Sequence, residues 1–182
     1  IDGHIDLASI AVRGRDVLKR STNPQEACIS IPDLVESPIR TFFGTIYTTF
    51  TNGSFGFSSS DDRDGAHRAG LEQLTVYDRL ANDGHLTKQM NGLNIGDQLS
   101  MLLVMEGADP IRNPDEVKWW REQGLRAVGT VELGGLQNPP SKHRIEYITK
   151  CAKELLPQLG HHDDEWLGFR PTLPDFLPIM GP

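Results

Sequence analysis

The sequence predicts an α/β domain with a mainly parallel sheet. Strand-like and helix-like segments alternate along the 182 residues, as successive βα units do. Ser100-Met101-Leu102-Leu103-Val104-Met105 is a continuous apolar run, the pattern of a parallel strand buried on both faces. Helix punctuation is also clear, with Asp83-Gly84 closing one segment and Asn113-Pro114-Asp115-Glu116 opening another, in keeping with Gly beyond helix ends and Pro at helix starts.

Taken in order, the apolar segment from Ile1 to Leu7 reads as a first strand, followed by a polar stretch rich in Arg. Ile31 to Val35 begins a short turn or helix. Arg40 to Thr48 carries aromatic and β-branched residues and reads as a second strand. Asn52 to Asp64 is a Gly/Ser/Asp loop, long enough to serve as a lid or mobile segment. A helix is expected from about Ala66 to Asn82, where Leu71, Leu74, Tyr77 or Asp78, and Leu80-Ala81 form one apolar stripe. The run 100–105 is the next strand. Asn113 is read as the cap of a further helix that passes Trp119-Trp120 and stops at Gly124.

Leu125 to Leu133 reads as another strand, and Gly134 to Ser141 as a loop. From about Lys142 to Leu159 the residues Ile145, Ile148, Cys151-Ala152, Leu155-Leu156 and Leu159 recur at the helical period. The tail from Trp166 to Asp175 holds too many prolines for a helix.

Composition narrows the function classes. A chain that is 37% hydrophobic and 24% charged is globular rather than disordered. Its net charge of −7, with acids and bases interspersed, leaves no basic stripe for nucleic acid. No apolar run approaches the ~20 residues a membrane crossing needs. No secretory leader is visible, and the cytoplasm is the expected location, although a start at Ile1 rather than Met fits a lost leader or a fragment. Cys28 and Cys151 are read as buried thiols rather than a disulfide.

The residues that bear chemistry begin at the N-terminus. In an extended strand, His4 and Asp6 point to the same face and present an imidazole beside a carboxylate, a pair that suits a divalent metal such as zinc. The plainer alternative is a solvated His and a turn-forming Asp. Glu106 ends the buried run, at the C-terminal edge where parallel α/β sheets bind their ligands. A buried carboxylate there needs a cation or a dense hydrogen-bond set. It either joins His4 and Asp6 on a metal or pairs with an Arg such as Arg112, Arg121 or Arg126.

Several stretches together resemble the zinc-dependent membrane (renal-type) dipeptidases. They are Asp2-Gly3-His4-Ile5-Asp6-Leu7, Ile31-Pro32-Asp33-Leu34, Arg40 to Thr45, His67 to Gln73, Leu103 to Asp109, and Trp119 to Arg126. The resemblance covers residues 1–128 and implies a (β/α)8 barrel with two zinc ions. It implies that His4 and Asp6 bind one metal, that Glu106 bridges both and acts in catalysis, and that a metal-bound hydroxide attacks the peptide bond of a dipeptide, including one with a C-terminal D-residue. Zinc would both acidify water and polarise the carbonyl. The chain departs from the family after Gly124-Leu125-Arg126, where no His stands at the expected place. His143, His161 and His162 lie beyond; His161-His162 beside two aspartates reads as a solvated turn. The matching part is about half of the ~250 residues of a full barrel.

From about Arg126 to Pro182 the chain is similar to the C-terminal region of FAD-dependent D-amino-acid dehydrogenases and oxidases. The carriers are Gly129 to Gly135, Arg144 with the following helix, Trp166 to Asp175, and Pro178-Ile179-Met180-Gly181-Pro182. That resemblance implies that Arg170 grips a substrate carboxylate and that Gly181 opens a turn toward the flavin. The plainer alternative, favoured because the flavin-binding half is missing, is a structural ion pair of Arg170 with Asp163, Asp164 or Asp175. No Gly-x-Gly-x-x-Gly is present to bind the dinucleotide.

The expected organisation is thus a dipeptidase-like half-barrel over 1–128 joined to a D-amino-acid-oxidoreductase-like segment over 129–182, with the amphipathic helix and Pro-rich tail in the second part. The expected function is a zinc-dependent dipeptidase-like hydrolase with an incomplete catalytic set. The alternatives are an FAD-dependent D-amino-acid oxidoreductase fragment and a non-catalytic chimeric module. The expected ligand is a small molecule, a dipeptide or a D-amino acid. Open sheet edges predict self-association.

Overall fold

A computed structural model describes residues 1–22, 29–49, 56–59, 61–90 and 96–129. The expected helix over 142–159, the Pro-rich tail, Arg170, Gly181 and both cysteines lie outside the described residues.

Chain order is β1 (Asp2–Ile5), α1 (Leu7–Val12), α2 (Ile31–Glu36), β2 (Thr41–Tyr47), α3 (Arg63–Asn82), β3 (Thr87–Lys88), β4 (Ser100–Glu106), α4 (Glu116–Glu122) and β5 (Leu125–Gly129). All strand pairings among the described residues are parallel. β1 pairs β2 and β2 pairs β4, while β3 and β5 both pair β4. β3 meets β4 at Ser100 and Met101, and β5 meets it from Leu103 to Glu106. The α/β class expected from the sequence is the class observed.

The helices cover one face of the sheet. Ile5, Phe42, Ile46, Met101, Leu103, Met105 and Leu125 point into a single core with Leu7, Leu34, Leu74, Tyr77, Leu80, Val117 and Trp120. The opposite face of β4 carries Leu102, Val104 and Glu106, all only partly buried. Helices on one face and side chains lining the other is the wall of a β/α barrel, not a doubly wound sheet with helices on both faces.

Local differences from the sequence reading have physical causes. The first strand ends at Ile5 and a short helix follows at once, because Leu7, Ala8 and Ser9 are buried. α3 begins at Arg63, earlier than Ala66, since Asp62 accepts from the Gly65 amide at 2.8 Å and caps it. α4 begins at Glu116. Asn113 Oδ1 accepts from the Asp115 amide at 3.0 Å, and the Asn113 and Pro114 carbonyls accept from Glu116 and Val117, so Asn113-Pro114 forms a lead-in turn instead of the cap. Gly84 and Gly124 follow their helices with positive φ of 77° and 98°, the left-handed geometry expected of them.

Candidate metal centre

The strands run parallel, so their C-terminal ends share one edge, and the site is built there. Tyr47 of β2 pairs in register with Glu106 of β4, and Ile5 of β1 pairs with Gly44 of β2. β1, β2 and β4 are neighbours, so the first strand and a mid-chain strand present their last residues together.

His4, Asp6 and Glu106 converge on this edge, and their ligand atoms all lie within 4.8 Å of one another. His4 Nε2 is 3.2 Å from Asp6 Oδ2 and 3.5 Å from Glu106 Oε2. Bonds of about 2.0–2.1 Å in a tetrahedral site place neighbouring ligand atoms about 3.3 Å apart, which matches both distances. Among the described residues this is the group of three or more such side chains that could hold a metal.

The surroundings of Asp6 are unusual for a helix cap. It occupies the N-cap of α1, where an Asp side chain ordinarily accepts an amide of the first turn. Here it makes no such bond. Its Oδ2 faces His4, while its Oδ1 is buried without a hydrogen-bond partner. A buried carboxylate oxygen left so is costly, whereas Oδ2 is the oxygen that faces His4 at 3.2 Å. The Asp2 carboxylate accepts from the His4 amide at 3.0 Å within β1.

Two of the arginines that could have paired with Glu106 are engaged elsewhere. Arg112 binds Glu116 and, at 3.0 Å, Asp64. Arg126 donates to the backbone carbonyls of Arg121, Leu125 and Met90. An imidazole and two carboxylates form a nitrogen-oxygen donor set of the kind that suits a divalent metal such as zinc.

Two further residues, to which the sequence reading gave no role at the site, shape this edge. Tyr77, fully buried, reaches from α3 to the backbone of Ile5, Thr45 and Ala8. Burial raises its hydroxyl pKa above the usual tyrosine value, and Asp6 adds to the rise. Gln73, also buried, clasps the backbone of Tyr47. The available signal was polarity on the buried stripe of a helix, since a buried Tyr or Gln needs a partner.

Comparison with known proteins gives two resemblances that overlap along the chain. Residues 97–182 match the DAO family of FAD dependent oxidoreductases, so the match includes β4, α4 and β5. The chain is 37% identical over 67 residues to a D-amino-acid oxidase of Bradyrhizobium diazoefficiens, a stretch covering 34% of this chain and 16% of that protein. It is 39% identical over 59 residues to a D-amino acid dehydrogenase of Paramagnetospirillum magneticum, covering 31% of this chain and 14% of that protein. In three dimensions it is similar to the crystal structure of the dipeptidase AC, a metallo peptidase. The TM-score is 0.60 at 16% identity, over 84% of this chain and 53% of that one. That likeness concerns the fold. The chain therefore spans about half the dipeptidase and a small share of the curated oxidoreductases. Both resemblances read from the residues are present: a dipeptidase-like fold and a D-amino-acid-oxidoreductase-like sequence.

Proposed function

We propose that residues 1–128 form a dipeptidase-like metallohydrolase half-barrel and that residues 129–182 are a separate segment of D-amino-acid-oxidoreductase type. The observation that carries the first part is the convergence of His4 Nε2, Asp6 Oδ2 and Glu106 Oε2 at the C-terminal edge of the sheet. In this reading the three side chains hold zinc. The metal would supply acidification of water and polarisation of a peptide carbonyl. Glu106, at the end of β4, is the side chain closest in role to a proton carrier for that chemistry. Asp2 orients His4 through its amide. The substrate class is a small peptide bearing a free carboxylate. Zinc content, together with hydrolysis of simple dipeptides by the full chain and its His4→Ala variant, tests the reading. Zinc bound equally by both proteins would remove it.

A second reading rests on the match over 97–182. In it Arg170 binds the carboxylate of a D-amino acid, suited to a bidentate guanidinium, and Gly181 lets the backbone approach FAD. Flavin absorbance in the purified protein supports it, and a colourless preparation after incubation with FAD rejects it. A cytoplasmic location belongs to the same proposal and is checked by fractionation. No described helix is long and apolar enough to cross a membrane.

A further inference from the structure

We infer that Tyr77 and Gln73, one helical turn apart on α3, are positioning residues that set the geometry of the metal-binding edge. The inference rests on the metallohydrolase reading above and goes beyond it, because neither residue is a ligand.

Tyr77 frees Asp6 for the metal. Its hydroxyl accepts from the Ala8 amide at 3.4 Å and lies 3.1 Å from the Thr45 carbonyl and 3.2 Å from the Ile5 carbonyl, to which it donates. With Asp6 at the N-cap of α1, Ala8 is the second helical residue, whose amide an N-cap side chain ordinarily takes. Tyr77 takes it instead. The Asp6 carboxylate is thereby left to face His4. The Ile5 carbonyl belongs to the peptide that joins Ile5 to Asp6, so the same hydroxyl fixes the backbone between two metal ligands. It also ties that peptide to β2 through Thr45.

Gln73 completes the frame from the same face of α3. Its Oε1 accepts from the Tyr47 amide at 3.0 Å and its Nε2 donates to the Tyr47 carbonyl at 2.5 Å. Tyr47 is the register partner of Glu106. The side-chain amide thus holds the end of β2 where β4 delivers its carboxylate. Gly44 lets the Tyr77 ring lie against β2, for a Cβ there would stand 3.0 Å from Tyr77 Cζ. One helix therefore grips the backbone beside all three ligands: Ile5 between His4 and Asp6, and Tyr47 beside Glu106.

The test is zinc affinity of the full chain, by competition with a chromogenic chelator, joined to the visible spectrum of the cobalt-substituted protein. Tyr77→Phe keeps the ring and removes the hydroxyl. Gln73→Met removes both clasping bonds and serves if Tyr77→Phe does not fold. Either is expected to weaken zinc binding about 10–100-fold, the usual cost of losing a residue that orients ligands, and to change the cobalt spectrum. Val117→Ala, a buried substitution on α4, is expected to lower the melting temperature and leave affinity and spectrum unchanged. Tyr77→Phe and Gln73→Met binding zinc as tightly as wild type, with His4→Ala abolishing binding, would overturn the positioning role alone. A wild-type chain that binds no zinc would remove the metallohydrolase reading and this inference with it.

Discussion

Tyr47 and Glu106 are register partners at the ends of adjacent parallel strands, and that pairing brings a mid-chain carboxylate to the first strand. β2 lies between β1 and β4. Glu106 Oε2 reaches across it to within 3.5 Å of His4 Nε2. The site thus depends on the order of strands as much as on the identity of its residues.

The core that supports this order is tight. Leu103 is fully buried on β4, facing the helices. Leu103→Ala is expected to cost about 2–5 kcal/mol, the range for a large buried side chain cut to Ala. Urea denaturation of the two proteins measures it, and a difference near zero would mean that β4 is not packed as described.

Gly44 is a second sensitive point. A Cβ there would meet Met101 and the Tyr77 ring, both fully buried. Gly44→Ala is expected to destabilise by about 1–3 kcal/mol through overpacking. Because it pushes on Tyr77, it should also weaken zinc binding. Paired melting and affinity measurements check both parts.

Asp62 gives a pH signature. Its carboxyl is held at about 2, below the ordinary 3.8, first by the Ser58 hydroxyl and then by the Ser58 and Gly65 amides. The unfolded chain binds this proton more readily, so the stabilisation is complete above the ordinary value and is lost as pH falls toward about 2. Thermal melts stepped through that window should show a decline in wild type and a shallower one in Asp62→Asn. Equal slopes would contradict the capping role.

Open edges carry a further expectation. Among the described residues β1 pairs with β2 alone, and an unpaired parallel edge is a template for another chain. Sedimentation velocity across a concentration series is expected to report species larger than a monomer. A clean monomer throughout would show that the edge is covered.

Much of the fold was legible in the sequence, for identifiable reasons. The apolar run into Glu106 reads directly as a buried strand, and Gly84 and Gly124 mark real helix ends. α1 was not legible, because its six residues, Leu7 to Val12, are too few to show a helical period before the Arg-rich stretch begins. β3 has two residues, too few for any periodicity. Asn113-Pro114 has the chemistry of a cap but spends it on a turn before α4. His4, Asp6 and Glu106 could be named from residue type and strand ends, whereas their distances needed the strand order. Tyr77 was legible only as part of an apolar stripe. Its hydroxyl serves backbone from α1, β1 and β2 at once, and no local pattern encodes such a contact.

The most direct measurement is zinc stoichiometry by elemental analysis after metal loading and desalting, on wild type, His4→Ala, Asp6→Asn and Glu106→Gln. The expected result is about one tightly held zinc per wild-type chain, the content of a single three-ligand site, and its loss in each variant. Zinc that is absent from wild type, or retained undiminished by all three variants, would contradict the account.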